Sequence, residues 1–123
     1  MLLSNLSKVI NVNKTYNFNK NKYFFAITSN SKFTNNKTLF VYNKNTKIKK
    51  IYLDEVLKKK TPAIITNKYI NNLKIPQFVV SNINFETNSL LNKLHNNFPF
   101  KTLAVTGTNG KTSVVWYISK ILN

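Results

Sequence analysis

Only two glycines occur in the 123 residues, Gly107 and Gly110, and they bracket Thr108-Asn109 directly before Lys111-Thr112. Glycine enters positive φ without steric cost and lets backbone N–H groups come close to a ligand. This chain places its entire supply in one turn. The apolar run Leu103-Ala104-Val105 leads in, predicting a buried strand over 102–106, and a helix is expected over 112–122. Successive N–H groups of such a turn, together with a helix N-terminus, make an anion site. In that arrangement Lys111 reaches the outer phosphates of a nucleotide and the Thr112 hydroxyl holds Mg²⁺. ATP and Mg²⁺ are therefore the expected ligands, with Gly107, Thr108, Asn109, Gly110, Lys111 and Thr112 as the binding loop. The spacing is a variant, because the usual pattern has a glycine five residues before the Gly-Lys pair and Val105 stands there. The competing reading is a plain strand-to-helix turn with a surface lysine.

Upstream, apolar positions 2, 3, 6, 9 and 10 have helical spacing, and the Asn/Lys-rich stretch 11–22 reads as loop. Strands are expected at 23–28, 38–42, 63–66 and 77–80, and helices at 52–60 and 84–97. Thr61-Pro62 breaks the first of these helices and Phe98-Pro99 closes the second. Alternating strands and helices predict an α/β fold. A boundary near Pro99 divides a small α/β domain, residues 1–99, from residues 100–123, which hold only the opening strand, loop and helix of a second domain. An isolated strand and helix would leave Val114, Val115, Ile118 and Ile121 without most of their packing partners.

Charge is the other conspicuous feature: 19 basic residues against 3 acidic ones, net +16. A small basic nucleic-acid-binding module is the alternative function this suggests. Every basic residue is lysine, however, so no arginine fork is present for bidentate contacts to guanine or phosphate. Asparagine is equally inflated, at 22 residues, and both amino acids use A/T-rich codons. The lysines are scattered, with Lys58-Lys59-Lys60 the one run, so a lysine-loaded surface is favoured over a nucleic-acid site. Absence of cysteine excludes disulfides and thiolate metal sites. No apolar run reaches the ~20 residues of a membrane span, and no secretory leader is visible at Met1-Leu2-Leu3-Ser4-Asn5, so a cytoplasmic protein is expected.

Gly-Thr-Asn-Gly-Lys-Thr after Leu-Ala-Val-Thr resembles the ATP loop of the Mur ligases, the ADP-forming enzymes that build the peptide of peptidoglycan. Within that family it is most like the branch that adds the third residue, to UDP-N-acetylmuramoyl-alanyl-glutamate. Thr28-Ser29-Asn30-Ser31-Lys32, followed by Asn36-Lys37-Thr38-Leu39-Phe40-Val41, looks like the family's Asp-Ser-Arg element and its Gly-Asp-Leu-Phe-Val strand. Pro62-Ala63-Ile64-Ile65 resembles the later Gly-Ala-hydrophobic strand. Asn88 to Leu94, ending at Phe98-Pro99, resembles the helix leading to the ATP-binding domain. The likeness runs from about Thr28 onward and is specific at the loop.

What the resemblance implies is an N-terminal UDP-sugar-binding-like domain, a UDP-N-acetylmuramoyl-dipeptide partner and Ser31 as a contact to the uridine diphosphate. Asn30 and Lys32 stand where the family has Asp and Arg, and its His-x-x-Asp-Gly element has no counterpart in 42–50. By resemblance, the reaction activates a carboxylate as an acyl phosphate with ATP, and an amine then displaces phosphate. The family's Mg²⁺-binding glutamate and histidine, carbamylated lysine and amino-acid-selecting motif have no counterpart here, so no catalytic set is complete. The expectation is a fragment inactive alone, with a separately encoded remainder of the ligase as a possible partner.

Other chemistry-bearing residues have structural readings. His95, the only histidine, sits near a helix C-terminus, where a cation suits the dipole. Asp54 and Glu55 are expected in the first turn of their helix as dipole partners, and Glu86 likewise. Trp116 reads as a core or interface residue ahead of an adenine-stacking one, and the aromatics at 23, 24, 25 and 40 read as strand core.

Overall fold

The computed structural model describes residues 1–44, 50–95 and 103–122. Five strands form one mixed sheet: β1 (Val12–Tyr16), β2 (Ala26–Thr28), β3 (Thr38–Tyr42), β4 (Ile64–Thr66) and β5 (Gln77–Val80), in the order β1-β5-β4-β3-β2. Strands β2 to β5 are parallel, and β1 closes the far edge antiparallel to β5. The helices are α1 (Lys50–Lys58), α2 (Ile83–Leu94) and α3 (Lys111–Leu122), with 3-10 helices at Leu3–Lys8 and Ser31–Phe33. The mixed α/β class is as expected.

Each parallel strand is laid down one place further in the same direction. Crossovers of uniform hand then all fall on one face of the sheet. On that face Phe40, Tyr42 and Ile64 pack with Val56 of α1 and with Leu73 and Ile75 of the β4–β5 connection. After β5 the chain turns to the opposite face. There Ile83 and Leu90 of α2 join Leu3 and Leu6 of the first 3-10 helix over Leu39, Ile65, Phe78 and Val80. The period-2 alternation of β3 and β4 distributes their side chains between these two cores, while Phe78 and Val80 of β5 both face the second.

Local chemistry sets the helix ends. Asn82 caps α2 by accepting the Phe85 N–H at 3.1 Å, which satisfies one orphan donor of the first turn. Helix α1 ends with Lys60 in the left-handed region (φ 56°), Lys60 N–H on Leu57 O and Thr61 N–H on Val56 O. That is the Schellman pattern, usually made with glycine.

Three expectations need correction. The stretch expected as loop at 11–22 contains β1. The strand expected over 23–28 is regular only from Ala26. Most consequentially, 103–106 forms no strand, although its apolar run looks like one. A parallel strand exists only through hydrogen bonds to neighbours, and among the described residues none pairs with this segment. Thr102 and the boundary placed near Pro99 lie outside the described residues.

Candidate functional site

Both glycines of the predicted loop take conformations that other residues resist: φ is 154° at Gly107 and 75° at Gly110. A Cβ at Gly110 would meet nothing within 4 Å, so backbone conformation, not crowding, selects glycine there. Helix α3 starts at Lys111, and the Val114 N–H is bonded to Gly110 O at 3.0 Å. The Lys111, Thr112 and Ser113 N–H groups therefore belong to the first turn, whose donors have no intrahelical acceptor. They emerge beside the positive end of the α3 dipole.

The Lys111 ammonium folds back over the turn, donating to Gly107 O and to Thr108 O, the latter at 3.4 Å. Carbonyl oxygens, not a carboxylate, hold it, so its positive charge is left unneutralised at the mouth of the loop. The donors present are amide N–H groups, one ammonium and the Thr112 hydroxyl, which fit a phosphate better than a bare cation. No cluster of three or more His, Asp or Glu occurs among the described residues. A Mg²⁺ ion at Thr112 would accordingly depend on phosphate oxygens for its remaining ligands, the usual habit of that ion.

The carboxyl ends of parallel strands are where ligands of open α/β sheets collect. Two cavities flank the end of β2 and share Ser29. One, about 690 Å³, lies between Thr28, Val41 and the α2 residues Thr87 and Asn88. The other, about 430 Å³, lies on the α1 side between Asn30, Lys32, Phe40 and Tyr52.

Ser31 borders the second cavity but is itself buried, 4% exposed. Its hydroxyl donates to Glu55 Oε2 at 2.6 Å. Lys59 pairs with Glu55 Oε1 at 3.0 Å and donates to the Ser31 and Lys32 carbonyls at 3.0 and 2.8 Å. The hydrogen bond from Ser31, then the Lys59 ammonium, hold the Glu55 carboxyl below its usual range. Ser31 thus ties the turn after β2 to α1, and the groups left facing the cavities are those of Ser29, Asn30 and Lys32.

The remaining candidates have structural settings. Helix α1 begins at Lys50, earlier than expected, so Asp54 and Glu55 fall beyond its first turn. Glu86 is in the first turn of α2 as expected, and its carboxylate also accepts the Asn11 N–H at 2.9 Å. His95 is the C-cap of α2, its N–H on Leu91 O. Trp116 is exposed rather than in a core, edge-on to Tyr117 with Lys120 over its ring. Phe24 and Phe40 are core, whereas Tyr23 and Phe25 are exposed. Sequence reasoning missed Glu55 and Lys59 as a tie; their i,i+4 spacing was the available signal. No helix among the described residues is long and apolar enough to cross a membrane. No protein-family model matches the chain, and no curated protein matches it either.

Proposed function

We propose that this chain supplies the UDP-sugar-binding-like domain and the ATP loop of a cytoplasmic Mur-type ligase. The reaction class is ADP-forming amide synthesis on UDP-N-acetylmuramoyl-peptide precursors of peptidoglycan. The observation that carries the reading is the Gly107–Thr112 turn, with both glycines at positive φ and Lys111 poised over the turn at the start of a helix. The first-turn N–H groups would bind phosphate oxygens, and Lys111 would leave its carbonyl contacts to balance charge on the outer phosphates. Thr112 would contribute a hydroxyl to Mg²⁺, which supplies charge neutralisation to the triphosphate. The cavities beside Ser29 would take the nucleotide sugar. The residues that complete catalysis in the family have no counterparts in this chain, so the reading is of binding and positioning, not turnover.

Calorimetric titration of the chain with Mg²⁺–ATP tests it. A charge-assisted hydrogen bond is worth about 1.5–3 kcal/mol, so Lys111→Ala should weaken binding by about tenfold or more. Equal affinity in parent and variant, or no binding in the parent, would sink the proposal.

A further inference from the structure

At the opposite end of the sheet, where β4 and β5 begin, a cavity of about 320 Å³ is lined by Lys20, Lys22, Lys60 and Lys74 over an apolar floor that includes Leu57 and Ile75. No acidic residue borders it. Among the described residues none of the four amines makes a hydrogen bond or ion pair; the neighbouring Lys59–Glu55 pair is turned to Ser31 and lies outside the lining. Four like charges around one hollow repel one another and gain nothing from the protein itself.

Two further observations converge on the same place. Thr61 borders the cavity at 2% exposure, and its Oγ1 is the one buried side-chain polar atom without a partner among the described residues. A buried hydroxyl left unpaired bears a desolvation cost that no protein partner offsets. Lys60 holds the left-handed position that ends α1, while the other two non-glycine residues at positive φ among the described residues, Asn17 and Asn72, are asparagines. Asparagine tolerates that conformation far better than lysine does. The lysine therefore stands there against its backbone preference, and it lines the cavity.

We propose that this cavity binds a small phosphate-bearing anion, held by the four lysines and the Thr61 hydroxyl. It is separate from both the glycine loop and the cavities at the carboxyl end. Of the carbonyls near the end of α1, which would repel an anion, those of Glu55, Val56 and Leu57 are engaged by the Lys59, Thr61 and Lys60 N–H groups.

The test is titration of the whole chain with pyrophosphate at constant ionic strength, with a Lys111→Ala background to remove the glycine loop. Binding should persist in Lys111→Ala. It should fall about tenfold or more when Lys60→Gln and Lys74→Gln are combined, for loss of two charge-assisted contacts, and about fivefold in Thr61→Val. The charge-matched control, Lys8→Gln with Lys93→Gln at exposed sites elsewhere, should stay close to the parent. Equal loss in that control would mean diffuse charge and overturn the site. Loss of all binding in Lys111→Ala, or unaltered affinity in either cavity variant, would overturn it too. Tighter binding of single-stranded RNA than of pyrophosphate, abolished by the Lys60/Lys74 pair of substitutions, would replace the small anion with nucleic acid. Because the Mg²⁺–ATP titration reads Lys111 and this one is run without it, failure of either proposal leaves the other standing.

Discussion

Glu55 accepts the Ser31 hydroxyl on one oxygen and the Lys59 ammonium on the other, so a single carboxylate joins the turn after β2 to the helix after β3. Both partners favour the charged form, and the carboxyl titrates below its ordinary 4.5. A carboxyl with a depressed folded-state value stabilises the fold fully above its unfolded value, and that contribution is lost as pH falls through the folded one. Thermal melts should therefore show the parent above Glu55→Gln by a full and steady gap above about pH 4.5, narrowing in more acid solution. A constant gap down to pH 2 would show that packing, not charge, separates them. The i,i+4 pair was visible in the sequence. The partner of Ser31 was not, because it lies 24 residues away, and no local pattern encodes a contact across a crossover. The glycine loop was legible for the opposite reason: positive φ is a local demand, and only glycine meets it cheaply.

The elements best read from sequence were β3, β5 and α2, whose apolar patterns are sustained and whose ends carry caps or breakers. Strand β1 was missed because it is an edge strand. Its central Asn13, Lys14 and Thr15 are exposed, so alternation is weak, and lysine on an open edge discourages pairing with other chains. The false strand at 103–106 is the converse error, an apolar run without neighbours. Gln77 is a further signal that composition hides. It is fully buried at the start of β5; its Nε2 donates to Ile70 O and Leu73 O, and its Oε1 accepts the Ile70 N–H. This one side chain shapes the β4–β5 connection, which has no helix to do so. Gln77→Leu keeps the volume but strands those backbone groups, so it should cost about 3 kcal/mol in a denaturant melt. A loss below 1 kcal/mol would mean that water replaces the amide.

Across the whole molecule, stability and the glycine loop reside in different stretches of chain. The two cores draw on residues from Leu3 to Leu90, whereas α3 buries none of its residues and leaves Val114, Val115, Trp116 and Ile121 exposed. Leu90→Ala opens a cavity in a core where that side chain has no exposure, and such changes cost about 2–5 kcal/mol. Ile121 is 80% exposed, so Ile121→Ser should change the melting free energy by no more than about 0.5 kcal/mol. A marked loss in Ile121→Ser would reveal that α3 packs against the chain after all. If the pair behaves as expected, nucleotide titrations on Lys111→Ala can be read as binding alone, because the loop can be altered without disturbing the sheet that supports the other cavities.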